Sequence, residues 1–568
     1  MDVVLLMVVC FAVFFLVYRV YGRFISKKIY QLRDENITPA HEFEDGIDYV
    51  PTRKEIIFGH HFTSIAGTGP IVGPAIGIIW GWVPAIIWIV VGTLVIGAVH
   101  DFGSLVLSLR NQGKSISEIT GKFINKRTQR AFFSIVFLEL LIVIAVFGLI
   151  MAVVFDMFPA SVFPVWFEIP LAVWLGWMVY KKKGNLALYS IIALLLMYLT
   201  IVIGTMIPFR IPGIGIIPAT GVWTIILLIY AYIASMLPIT TLLQPRDYIN
   251  SHELFVALFL LFVGILASAI GNTNFHIVAP AVNFNPTGAP PVVPFIFITI
   301  ACGAVSGFHS LVSSGTSAKQ IRKETDSQVI GYGAMVMEGV LAVLVIVAVA
   351  AGIGIAYQTG EGNILSGIPA WTAHYSSWAA AQGLGSKISA FVIGAANIIN
   401  SIGIPKSIAL VIMGVFVVSF AGTTLDTATR IQRYVLSELF SEVKVFQNRQ
   451  FSTAVAVITA GLLAFATGAS GGGALKLWPM FGATNQTLAA LALLLVTIWL
   501  KSKGGLKLLI SGIPCVFMAF ITTWALILNQ IDFIGTRNPV LLILNLIILF
   551  LNIWIIVEGV VIVATKKR

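Results

Sequence analysis

Apolar runs of about 20 residues recur along this whole chain, and each matches the length that crosses the hydrocarbon core of a bilayer. About 15 reach that length: 2–19, 58–79, 83–109, 131–157, 162–180, 186–207, 222–243, 253–271, 293–318, 329–355, 405–430, 452–469, 477–500, 507–528 and 540–564. A further segment, 388–402, is shorter and more polar. Charged residues make up 10% of the 568, far below the proportion usual in soluble domains. The expectation is an all-α polytopic membrane protein of about 15 transmembrane helices.

A net charge of +11 invites a nucleic-acid reading, but its placement argues against one. Taken over alternate loops, all of the 35 Lys and Arg fall on one side except Arg210, Lys387, Lys406, Lys476 and Arg537. Positive loops stay in the cytoplasm, which predicts an outside N-terminus and a cytoplasmic C-terminus. Residues 1–18 lack a basic n-region and an A-x-A site, so a cleaved signal peptide is not expected. Cys10, Cys302 and Cys515 are scattered among apolar spans and give neither a disulfide framework nor metal-ligand spacing. The outer loop 356–387, with Gly360, Gly362, Gly367, Pro369, Trp371, Tyr375 and Trp378, suggests a packed cap with a short helix at 371–382.

Residues 58–79, FGHHFTSIAGTGPIVGPAIGII, carry His60, His61, Thr63 and Ser64 ahead of a Gly67-Thr68-Gly69-Pro70 break. Glycine weakens a helix, and proline removes an amide hydrogen and clashes with the carbonyl four residues back. Open backbone within a membrane must be buried in protein or line a wet cavity. Secondary transporters use such broken helices to hold substrates and ions. A kinked packing helix is the alternative, since Gly69, Gly73 and Gly77 form a small-residue face. The spacing His61-x5-Gly67-Thr68-Gly69 returns as His309-x5-Gly315-Thr316-Ser317. Under the charge-derived topology the two spans run in opposite directions, as an inverted repeat requires. The expected interruptions are Gly67–Gly69 and Ser313–Gly315 or slightly before, facing each other across a central cavity. His61, Gly67, Thr68, Gly69, His309, Ser313, Ser314 and Gly315 are therefore candidate substrate-binding residues.

Ionisable groups within spans are costly and mark pathways. They are His60, His61, His100, Asp101, Glu139, His309, Glu338, Asp426 and Glu558; for Glu139, Glu338 and Glu558 a purely structural partnership weighs equally. SFAGTTLDTATR (419–430) offers Thr423, Thr424, Asp426 and Thr427 as an ion-coupling set for H⁺ or Na⁺. The threonines bonding their own helix is the plain alternative. Trp478-Pro479-Met480-Phe481-Gly482-Ala483-Thr484-Asn485-Gln486 reads as a further broken helix, with Asn485 and Gln486 added to the substrate site as uncharged carboxamides. Asn272, Asn274, His276, Asn283 and Asn285 mark an outer loop that serves as an entrance or as a turn.

Energy-using chemistry is not supported. Gly113-Lys114-Ser115 lacks the earlier P-loop glycine, position 108 being Ser. His252-Glu253 has no second histidine at zincin spacing, and Gly67-x-Gly69 follows no strand. The chain is expected not to be an enzyme and to need no cofactor or metal beyond a coupling ion. Its partners are a small-molecule substrate and membrane lipid.

Several segments together carry a family resemblance. They are Asp45-Gly46-x-Asp48-Tyr49-Val50-Pro51-Thr52, Phe58-Gly59-His60-His61-Phe62, Ala66-Gly67-x-Gly69-Pro70, Gly97-Ala98-Val99-x-Asp101-Phe102, Gln244-Pro245-Arg246-Asp247-Tyr248, Ser306-Gly307-Phe308-His309-Ser310, Thr423-Thr424-Leu425-Asp426-Thr427-Ala428-Thr429-Arg430 and Leu477-Trp478-Pro479-x-Phe481-Gly482-x-x-Asn485-Gln486. The chain resembles the carbon starvation protein A (CstA) family. That resemblance implies import of peptides across the bacterial inner membrane during carbon starvation, or of pyruvate with protons in other members. It also implies a LeuT-like inverted repeat of the amino acid–polyamine–organocation (APC) superfamily with inserted helices. In that frame, residues 1–57 form an N-terminal span and cytoplasmic loop. The first repeat covers 58–292, the second 293–500, and two C-terminal spans 501–568. A channel or a membrane sensor on the same scaffold is the alternative of another class.

Overall fold

The computed structural model describes residues 2–271, 275–359 and 362–565. Asn272, Asn274 and Gly360 of the loops above lie outside them. Helix accounts for 79% of the structure. Among the described residues, twelve helices are long and apolar enough to cross a membrane, fewer than the fifteen expected. The difference has a physical origin. Span 58–79 is two helices, Lys54–Ala66 and Gly69–Gly77, the second prolonged by a short turn to Trp80, with a bend of about 40° between them. Span 293–318 is likewise divided, into Val292–Thr299 and Gly307–Gly315. The segment at 452–469 is a 17-residue helix, Arg449–Phe465, and the doubtful 388–402 belongs to another, Leu384–Asn400.

Two expectations about helix integrity change. The Trp478 segment is not broken: Pro479 sits in the first turn of the continuous helix Trp478–Ser502, where no backbone N–H is required of it. Arg246 and Asp247 do not belong to a loop. They are buried in the first turns of the 29-residue helix Leu243–Gly271. The outer cap holds a two-stranded pair, Tyr357–Gln358 with Ile364–Leu365, and two short helices, Ile368–His374 and Trp378–Ala381, where a single one was expected.

The interrupted spans lie side by side and antiparallel, as an ordered series of contacts shows. Thr52 N–H donates to Gln320 O (3.0 Å), and His61 Nδ1 meets Ser317 Oγ (2.8 Å). Gly69 then packs on Cys302, Gly73 on Thr299, and Trp80 Nε1–H donates to Pro290 O (3.1 Å). Numbers rise along one span while they fall along the other. Beside them runs the 34-residue helix Lys406–Leu439, about 50 Å long at 1.5 Å per residue, well beyond the hydrocarbon thickness. Its far end is tied to the 43–53 loop by Arg430, whose Nη1 is 2.8 Å from Asp48 Oδ1. Burial works against the Asp48 charge, yet Arg430, helped by Lys319 and Arg433, holds that carboxyl below its ordinary value.

A Cβ at position 73 would stand 2.7 Å from Thr299 O, a backbone atom that cannot move aside. Gly73→Ala is expected to cost about 1–3 kcal/mol by overpacking. Gly535→Ala, with nothing within 4 Å, serves as the control and loses nothing. Thermal melting in detergent reads both, and equal melting temperatures would exclude the close approach at Gly73.

Candidate functional site

The first interruption turns on Gly67, whose φ of +44° suits glycine alone. Thr68, buried, begins the next helix, and its carbonyl accepts from Val72 N–H (2.9 Å). The freed backbone finds side-chain partners on Lys406–Leu439: Thr424 Oγ1 donates to Ser64 O (3.4 Å), and Thr427 Oγ1 lies 3.2 Å from Ser64 Oγ. The second interruption is Ile300–Ser306, earlier than expected, and turns on Gly303 at φ +90°. Its polar backbone is met by three helices. Trp88 Nε1–H donates to Ile300 O (2.9 Å), Thr93 Oγ1 to Gly303 O (2.8 Å), and Gly303 N–H to Glu338 Oε1 (2.9 Å). Asn485 Oδ1 accepts from Phe308 N–H (2.9 Å) and so caps the following helix, while its amide bonds Ser306 Oγ (3.0 Å). Gln486 Nε2 donates to Phe297 O (2.9 Å) on the other half.

Ser313, Ser314 and Gly315 consequently sit in the last turn of a helix and not at a break. Ser314 Oγ receives Ile116 N–H (3.0 Å) and donates to Ser310 O (2.7 Å). The two interruptions meet in direct contact, Gly69 on Cys302 and Gly303 on Pro70, instead of facing each other across an open chamber. Glycines at both turns remove the side chains that would hold the backbones apart.

Each interrupted span carries a histidine tied through Nδ1 to an aspartate on a neighbouring helix. His60 bonds Asp247 Oδ2 (2.5 Å), and His309 bonds Asp101 Oδ2 (2.8 Å). The second pair extends further: His100 Nδ1 holds Asp101 Oδ1 (2.7 Å), and His309 Nε2 lies 3.3 Å from Glu338 Oε2. All six of these side chains, His60, Asp247, His100, Asp101, His309 and Glu338, are completely buried. An imidazole set between two carboxylates in a low-dielectric interior has the chemistry to hold and pass a proton. Cys302, His309 and Glu338 also bring three metal-capable atoms within 4.8 Å, a cluster invisible in the sequence spacing. His61 differs, its one side-chain partner among the described residues being the Ser317 hydroxyl.

The four ion-coupling candidates do not converge on one oxygen shell. At 3.6 residues per turn, Thr424, Thr427, Thr423 and Asp426 fan over about 160° of the helix. Thr424 and Thr427 face the first interruption, whereas Thr423 and Asp426 face Leu243–Gly271. There Asp426 pairs with Arg246 and accepts from Tyr230 Oη (3.0 Å). Thr423 Oγ1 donates to Asp247 Oδ1 (3.0 Å) and accepts from Asn250 Nδ2 (3.2 Å). A guanidinium occupies the place where a cation was expected. Glu168, Arg246, Asp247 and Glu253 complete this buried group and were not among the intramembrane candidates. Arg246 and Asp247 stood in a motif of the resemblance, which was the available signal. Glu139 is buried, with neither oxygen hydrogen-bonded among the described residues.

Interrupted helices in contact, ringed by buried charges, define a multi-pass membrane protein built around paired broken spans. The sequence profile described as "Carbon starvation protein CstA" matches residues 2–525, and the chain belongs to that family. The pyruvate/proton symporter BtsT of Escherichia coli K12 is 32% identical, over 91% of this chain and 80% of that protein. The peptide transporter CstA of Mycobacterium tuberculosis H37Rv is 33% identical, over 89% of this chain and 73% of that one. The peptide transporter CstA of Bacillus subtilis 168 is 32% identical, over 88% and 86%. A solved manganese transporter of Eremococcus coleocola aligns over 91% of this chain and 99% of its own, at 11% identity and TM-score 0.48, a likeness too loose to fix a fold family. The chain is a membrane transporter by its family.

Asn485→Ala leaves a buried helix N-terminus without its cap. It is expected to lower stability by about 1–3 kcal/mol, read as a fall in melting temperature in detergent. A melting temperature equal to that of the unaltered protein would remove Asn485 from the support of the second interruption.

Proposed function

We propose that this chain is a secondary active importer of peptides in the bacterial inner membrane, driven by protons and used when carbon is scarce. Its N-terminus is outside and its C-terminus cytoplasmic. The observation that carries this reading is the antiparallel contact of two interrupted spans, each holding a histidine–aspartate pair at the membrane interior. The two spans act as equivalent members of a LeuT-like inverted repeat, within halves at 58–292 and 293–500. Rocking of one against the other alternately opens the central contact to each side.

Coupling belongs to Asp101, His309 and Glu338 in preference to Thr423, Thr424, Asp426 and Thr427, because Arg246 already meets the Asp426 charge. A proton held at this triad neutralises a charge that otherwise resists movement through the membrane. The second reading, pyruvate/proton symport, is favoured by the likeness to the pyruvate/proton symporter of Escherichia coli. It uses the same proton site.

Proteoliposomes with an imposed pH gradient, a sodium gradient or neither test the proposal with labelled dialanine and pyruvate. Accumulation under the pH gradient alone is expected. His309→Ala is expected to reduce it about tenfold or more, the scale of losing one positioned proton carrier, while substrate exchange without a gradient persists. Equal accumulation in the variant would remove His309 from coupling, and saturation-free flux would identify a channel.

A further inference from the structure

A small cavity lies among the helices Val162–Gly176, Ala219–Met236, Leu243–Gly271 and Lys406–Leu439, beside the Arg246–Asp426 pair. Trp166, Glu168, Tyr230, Arg246, Ser419 and Met151 are on its wall. Three buried polar atoms there make no hydrogen bond among the described residues: Trp166 Nε1, Glu168 Oε1 and Arg246 Nε. Glu168 is 2% exposed and Arg246 3%. Most buried polar side-chain atoms are hydrogen-bonded, so three unsatisfied ones converging on one cavity mark a place for a ligand or water.

Their chemistry specifies the ligand. The other nitrogens of Arg246 are engaged, Nη1 with Asp426 and Tyr230, Nη2 with Asp247 and Thr423 (3.2 Å each). Its Nε–H is the spare donor, and the Trp166 indole N–H is a second. Glu168 forms no ion pair among the described residues; Ser419 Oγ donates to its Oε2 (3.2 Å), leaving Oε1 to accept. Two donors and one carboxylate acceptor match a molecule that carries both a carboxylate and an ammonium. Pyruvate has only the first and would leave Glu168 without a partner.

We propose that this cavity is the substrate site for a small α-amino carboxylate zwitterion, an amino acid or dipeptide, with its ammonium on Glu168 and its carboxylate on Arg246 and Trp166; the assignment rests on the transport reading above. The cavity now encloses about 20 Å³, room for about one water, so binding requires its walls to part. Met151 is the element that gives way. Its flexible thioether packs against Gly422 on the opposite wall, and three rotatable bonds let it swing clear.

The test uses the full chain. Binding is read in detergent from melting temperature against titrated dialanine, N-acetyl-dialanine and pyruvate; uptake is read separately in proteoliposomes. Dialanine is expected to bind about tenfold or more tightly than its acetylated form, the scale of one charge-assisted contact. Glu168→Gln, nearly isosteric, should bring the two to within about twofold of each other. Arg246→Lys should weaken both by about tenfold while keeping the cation. No preference for the free amine in the unaltered protein, or an undiminished preference in Glu168→Gln, overturns the site; a single water satisfying the three atoms gives the first result. Binding with the expected preference but no uptake supports the site and counts against transport alone.

Discussion

Opening a helix inside a bilayer releases backbone groups that have no water to turn to, and the centre of this protein is organised by how they are met. Around the second interruption the partners are Trp88, Thr93, Glu338 and Asn485, drawn from helices far apart in sequence. Around the first, Thr424 supplies the bond to Ser64 O. The shape of each break is therefore a tertiary property. Any shift of the long helix Lys406–Leu439 is felt at Ser64, and any shift of the Glu338 carboxyl is felt at Gly303.

That dependence joins the backbone to the charges. Glu338 accepts the Gly303 amide through one oxygen and faces His309 through the other. Protonation of the Asp101–His309–Glu338 group thus acts on the second interruption without an intermediary. Asp247 does the corresponding work on the first span, holding His60 through one oxygen while the other takes the Thr423 hydroxyl and the Arg246 guanidinium. Arg246 then connects that aspartate to Asp426 and to the cavity at Glu168. Buried charges are costly alone and tolerable in such networks, which explains why Asp101, Asp247, Asp426 and Glu338 each have a basic neighbour within reach.

Much of this was legible in the sequence, and the failures have identifiable causes. Hydropathy located the helical segments because about 20 apolar residues in a row have one use. Gly67, Gly69 and Pro70 announced the first interruption through their own backbone limits. Ile300–Ser306 did not announce the second, because only Gly303 there is conformationally special and its neighbours are ordinary apolar residues. The His309 echo drew attention to Ser313–Gly315, where a helix merely ends. Pro479 was mistaken for a breaker because its effect depends on position within the helix, which composition does not reveal. Arg246 was assigned to a loop since charge within a span is rare, and its burial depends on the carboxylates of Asp247 and of Asp426, the latter 180 residues away.

The central claim is that the contact between the two interruptions opens during transport. Cys302 lies against Gly69 at that contact and is a natural reporter once Cys10→Ser and Cys515→Ser remove the other thiols. Its labelling by a membrane-impermeant thiol reagent, measured in proteoliposomes at rest and during pH-driven dialanine uptake, is the most direct measurement. Cys302 is half-buried at rest, and the account predicts that its labelling is slow at rest and several-fold faster during turnover, when the contact opens. Labelling that stays equally slow from both sides while uptake proceeds would contradict it.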